Sequence, residues 1–112
     1  MADTQDGLIA VQLAQWATTL GVLQAALAVL SEEFDPATAR SSDQAVAPLL
    51  EFGETVGTLA KHGLIDPDLV RDLWWFEGIW HRVATAADKD RDMFGESGLW
   101  ANFEALAASA PQ

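Results

Sequence analysis

From Gly7 to Leu30 the chain reads GLIAVQLAQWATTLGVLQAALAVL, 24 consecutive positions without a charged side chain. A run this apolar is not a solvated tail, because so much apolar surface is driven out of water. As a single helix it spans about 36 Å at roughly 1.5 Å per residue, enough to cross a hydrocarbon core of about 30 Å. Length therefore admits two fates, a largely buried helix of a globular domain or a membrane span. Gln12, Gln15 and Thr19 fall on one helical stripe, as in a helix with one face toward water. Asp3 and Asp6 precede the run, Glu32, Glu33 and Asp35 follow it, and no Lys or Arg occurs before Arg40. Trp16, which could serve an aromatic belt, lies near the middle rather than at an edge. A secretory leader is disfavoured by the missing basic segment. These flanks predict a soluble helix over about 8–32 with most of its surface buried; the alternative is a membrane anchor over 8–30. Because every cation lies C-terminal to the run, an anchor would leave the rest of the chain in the cytoplasm.

The 112 residues fit one domain, 1–112. Six Lys and Arg against 17 Asp and Glu give a net charge of −11, which argues against nucleic-acid binding through the phosphate backbone. By segment the charge is −5 over 1–36, −1 over 37–64 and −5 over 65–112, so the acid gathers at helix ends and late in the chain. The absence of Cys excludes disulfides, thiol nucleophiles and thiolate metal sites, and fits a cytoplasmic location.

Punctuation then sets the remaining helices. A second helix over about 44–62 begins within Ser42 to Pro48, where Ser42 or Asp43 can cap and Pro48 suits a first turn. It ends on Lys61 and His62, with Gly63 as a left-handed residue past the end and Leu64 folding back. Asp66, Pro67 and Asp68 supply a cap, an N1 proline and an early acid for a third helix over about 67–88. So short a joint favours an antiparallel hairpin. Leu69, Leu73, Phe76, Trp80, Val83 and Ala87 recur at spacings of 4, 3, 4, 3 and 4 and predict its core face. After a loop read as DKDRDMFGES, Ser97 caps a last helix over about 98–108, with Leu99, Trp100, Phe103, Leu106 and Ala107 inward. No strand-like alternation is present. The expected fold is all-α, a four-helix bundle-like assembly.

Trp74, Trp75 and Ile79 lie off the core row and widen the apolar surface around Trp80. Together with Trp16 they are the candidate interaction residues, to be covered by the first helix, a second copy of the chain, a protein partner or a lipid surface. Gly53 and Gly57, with Ala60, form a smooth stripe opposite Leu49, Phe52, Val56 and Leu59. Each interior Gly costs about 1 kcal/mol relative to Ala, so the stripe implies close approach of another backbone or of an indole from Trp74, Trp75 or Trp80. Asp88, Asp90 and Asp92 alternate as in a calcium loop, but Met93 and Leu99 stand where such a loop needs Gly and a bidentate Glu. Glu77 and His81, one turn apart, are a weak metal pair better read as an i,i+4 support of the helix. No metal, cofactor or catalytic residue is assigned.

The segment LLEFGETVGTLAKHGLIDPDLVRDLWW, Leu49 to Trp75, resembles the motif LxFxExVGxLxxxGxIDxxLV of a family of bacterial and archaeal helical proteins known as a domain of unknown function. The matching positions are Leu50, Phe52, Glu54, Val56, Gly57, Leu59, Gly63, Ile65, Asp66, Leu69 and Val70. Trp80, Arg91 and a closing Phe103-Glu104-Ala105-Leu106 extend the similarity over residues 49–106. Many members carry a membrane helix before the domain, which the resemblance extends to residues 8–30 as an alternative. This chain departs from that pattern in its acidic start and in lacking a charged helix between anchor and motif. The family implies no activity. Residues and resemblance together lead to a non-catalytic interaction or scaffold domain, self-associating or docking a partner through its Trp-rich face and uncharged first helix. A membrane-tethered regulator and a metal protein or enzyme are the alternatives.

Overall fold

The computed structural model describes residues 2–108, and these form six helices with no strand among them. α1 spans Thr4–Leu20, α2 Val22–Leu30, α3 Ala47–Lys61, α4 Pro67–Leu73, α5 Phe76–Phe94 and α6 Ala101–Ala108. The chain is all-α, as its sequence predicts, but two of the expected helices are broken. The uncharged run is not one rod. α1 begins four residues early, in a reciprocal capping box where the Asp6 N–H donates to Asp3 Oδ1 and the Asp3 N–H to Asp6 Oδ2, each at 2.9 Å. It stops at Gly21, whose φ of +77° is left-handed, and α2 departs at 68°. Nor is the run mostly buried. Only Ala10, Leu13, Ala17, Val22, Ala25 and Val29 are enclosed, a single narrow stripe along the two helices.

The joint after α3 follows the sequence reading closely. Gly63 has φ +71°, its N–H donates to Ala60 O, and the Leu64 N–H reaches back to Leu59 O at 2.9 Å, which satisfies the last carbonyls of α3. Asp66 then caps α4, accepting from the Asp68 N–H at 2.9 Å. The start of α3 differs: its N-cap is Val46, without a side-chain cap, and Asp43 instead accepts from the Arg40 N–H to close the preceding turn. The row through the expected third helix is interrupted at Trp74 and Trp75, where extended backbone separates α4 from α5 and turns Leu73 outward to 52 % exposure. The segment expected as a loop is largely helix, since α5 continues to Phe94 and carries Asp88, Asp90 and Asp92. α6 begins at Ala101 after a turn, and Ser97 caps nothing in it.

Phe52 of α3 is the hub of the core. Its ring lies 5.0 Å from Trp74, 5.6 Å from Trp16 and 6.2 Å from Phe76, while Phe103 of α6 meets Phe76 at 6.1 Å and Trp80 at 5.0 Å. The long connection from Ser31 to Val46 is held by cations of α5. Arg82 donates to the carbonyls of Val29, Ser31 and Phe34 at 2.6 to 3.1 Å, and Lys89 to those of Ala37 and Ala39 at 2.8 Å. These residues are seven apart and share a helical face. One of them therefore satisfies the open C-terminal carbonyl end of α2, and together they fix a connection that has few apolar side chains of its own.

Candidate functional site

Two regions could serve as a site, the motif-bearing α3–α6 interface and the apolar groove beside α2. The first is built on the glycine stripe. A Cβ at Gly57 would collide with the Asn102 backbone carbonyl, and one at Gly53 with the Phe103 ring. The stripe is thus closed by the backbone and phenyl ring of α6 rather than by an indole of the hairpin. Glu54, between the glycines, accepts from the N–H groups of Asn102 at 3.0 Å and Phe103 at 2.9 Å and so caps α6 from another helix. Thr58 Oγ1 accepts from Asn102 Nδ2 at 3.0 Å. Arg91 donates to Leu99 O at 2.7 Å and to Glu104 at 2.8 Å, and its guanidinium lies over Trp80. Every one of these polar groups is spent on another group of the same chain, which makes the interface a structural joint. Glu54→Ala is expected to cost about 1–2 kcal/mol by removing that cap, and denaturant unfolding measures it.

The profile of the family described as Domain of unknown function (DUF4760) matches residues 3–110. The chain belongs to that family. No curated protein and no solved structure matches it. In this DUF4760 chain some of the positions that carry the resemblance, Glu54 and Gly57 on α3 and Phe103 on α6, meet in the α3–α6 contact, and others, Gly63, Ile65 and Asp66, form the joint between α3 and α4.

The metal candidates do not converge. Asp88, Asp90 and Asp92 sit on one helix, so successive members point to opposite sides. Asp90 is buried, accepting from Ser41 Oγ at 2.7 Å and Trp100 Nε1 at 2.9 Å, and Asp88 pairs with Arg91 at 3.1 Å. Glu77 and His81 are exposed on α5. Among the described residues no three His, Asp or Glu side chains are grouped to hold a metal ion. The buried Asp90 bridge joins Ser41 to Trp100, whose φ is a left-handed +61°, and its longer arm has no local sequence signal because Ser41 lies 49 residues away.

The candidate interaction residues divide. Trp16, Trp74 and Trp80 are half-buried in the aromatic core, and Ile79 is 6 % exposed, so the chain itself covers most of the surface that seemed to need a cover. Trp75 is 64 % exposed. Its indole folds back over Gly78, where a Cβ would collide with it. Across from it, Leu23 at 66 %, Leu27 at 63 % and Leu30 form an exposed i, i+4, i+7 row on α2. Between them lies an open groove of about 550 Å³ whose lining, including Leu73 and Trp75, contains no charged residue. A second groove on the other side of Trp75 shares Leu30 and takes in Glu77, His81 and Glu104. The sequence names the uncharged first helix as a docking surface but does not single out this row, which the break at Gly21 sets apart; a Gly inside an uncharged run was the available signal.

α1 is tied at its start. The Asp66 N–H donates to Asp6 Oδ1 at 2.9 Å, and the backbone N–H groups of Asp3 first and Asp66 second hold the Asp6 carboxyl below its ordinary 3.8. The folded state favours the ionised acid, so this tether is complete above that ordinary value and is lost as pH falls through the lowered one. Protection of the Asp66 amide is expected to fall on acidification in the wild type and to be weak at every pH in Asp6→Ala, which removes the acceptor, as read by NMR.

No single helix among the described residues is long and apolar enough to cross a membrane; α1 and α2 reach the required length and composition only as a bent pair.

Proposed function

We propose that the chain is a non-catalytic docking domain, one unit over 1–112 acting in the cytoplasm, that binds a helical segment of another polypeptide or of a second copy. The six segments are read as four helical units, α1–α2, α3, α4–α5 and α6, in which the outer face of α2 lacks a neighbour. The observation that carries this reading is the uncharged groove, with Leu23, Leu27 and Leu30 on one wall and Leu73 and Trp75 on the other, on a chain of net charge −11. A contiguous apolar surface of this kind on an otherwise acidic protein is the physical mark of an interaction site. The test is the size of the native particle. Wild-type protein isolated from its own cells is expected to elute above monomer mass, and Leu27→Asp at monomer mass with unchanged helicity. Elution of both as monomer rejects the reading.

A membrane-associated regulator is the second reading, favoured by the composition of the bent α1–α2 pair and by exposed Leu8 and Val11. Partition between detergent and aqueous phases separates the two, with the docking reading expecting the aqueous phase.

A further inference from the structure

Resting on the docking reading, we infer that the occupant of the α2 groove is a cationic amphipathic helix. It would lay a leucine-type face between the α2 row and Trp75 and set Lys or Arg against the acids around that groove. The apolar half of the argument is geometric. Leu23, Leu27 and Leu30 present a ridge on α2, whose 9 residues extend about 14 Å, and the facing wall of Leu73 and Trp75 makes the trough in which an amphipathic helix packs.

The charged half comes from the distribution of cations. Arg71, Arg82, Lys89 and Arg91 each donate to backbone carbonyls of their own chain, and the two others, Arg40 and Lys61, are exposed elsewhere in the sequence, on the 31–46 connection and at the end of α3. The exposed charges next in sequence to the groove walls are acidic: Glu32 and Glu33 follow Leu30, Asp72 precedes Leu73, and Glu77 lies two residues after Trp75 in the neighbouring groove, while Arg71, which lies beside Trp74 and Trp75, is turned onto the Leu106 carbonyl. Arg82 is the cation nearest in that neighbouring groove, and its guanidinium is turned onto the α2 carbonyls. A second copy would bring another −11 against this rim, and an anionic lipid surface would be repelled in the same way. A basic helix satisfies both the trough and its rim.

The probe is a labelled synthetic helix of about 18 residues with Leu at i, i+3, i+4, i+7 spacing and Lys elsewhere, followed by fluorescence anisotropy beside its Glu-for-Lys counterpart. The wild type is expected to bind the Lys peptide, to ignore the Glu peptide, and to bind more weakly as salt rises. Leu27→Asp is expected to weaken binding at least tenfold although it makes the protein more negative, and the neutral Leu27→Gln to weaken it as well. The quadruple variant Glu32→Gln, Glu33→Gln, Asp72→Asn, Glu77→Gln is expected to lose most of the salt dependence. Equal or tighter binding by Leu27→Asp means non-specific charge attraction and overturns the inference, as does equal binding of the Glu peptide. Association of anionic vesicles without the peptide also overturns it. Failure of the peptide while native wild-type protein still elutes above monomer mass and Leu27→Asp does not would overturn the cationic partner and leave the docking reading standing.

Discussion

Phe52→Ala is expected to lower the free energy of unfolding by about 3–5 kcal/mol, the range for removing a buried phenyl ring and leaving part of its cavity. The position warrants the upper part of that range. Phe52 is 2 % exposed and touches rings from three other elements, Trp16 of α1, Trp74 of the α4–α5 break and Phe76 of α5, which cannot all move inward together. Domains of this size have roughly 5–15 kcal/mol in total, so the variant stands near the edge of folding at 37 °C. Equilibrium unfolding in urea checks it, with the Trp emission as probe; a loss under about 1 kcal/mol would mean that Phe52 is not the hub of the core.

Gly57→Ala is the second large effect, and its sign opposes helix propensity. In a helix interior Ala is favoured over Gly by about 1 kcal/mol. Here the added Cβ meets the Asn102 carbonyl, a backbone atom that cannot rotate away, so α6 must shift and draw the Asn102 and Phe103 N–H groups off Glu54. Overpacking of this kind costs about 1–3 kcal/mol, and the lost cap about 1 more, so a net destabilisation of about 1–3 kcal/mol is expected. Gly63→Ala gives the contrast. Gly63 has open space where a Cβ would go, so only the strain of its left-handed φ is felt, about 1 kcal/mol. Side-by-side denaturant midpoints with unchanged slopes decide the comparison.

Local grammar was readable where local chemistry decides the backbone. The end of α3 at Gly63 and the start of α4 at Asp66 and Pro67 follow from φ preference and side-chain caps within a few residues, and both stand where the sequence places them. The Gly53–Gly57 stripe announced a close approach, yet its occupant is α6, because identity across an interface depends on residues some 45 to 50 positions away. Gly21 was lost inside an uncharged run that looks continuous by composition. The Trp74–Trp75 break was hidden because the 4-3 spacing of apolar residues continues through it. Arg82, Lys89 and Glu54 each complete the backbone hydrogen bonding of another segment, and their partners lie 49 to 53 positions away in the sequence. For the site, Trp75 was legible as an apolar residue off the core row. The leucine row opposite it was not, since its exposure follows from the 68° turn at Gly21.

The claim that carries the functional account is that the α2 row is surplus to the fold and available to a partner. Urea unfolding of Leu27→Asp beside the wild type, with the Lys peptide titrated into the same samples, tests it most directly. An unfolding free energy within about 1 kcal/mol of wild type, the usual range for an exposed site, together with binding weakened at least tenfold, is the predicted result. A loss of about 2 kcal/mol or more would place Leu27 in the core and contradict the account, as would undiminished binding by a variant that folds normally.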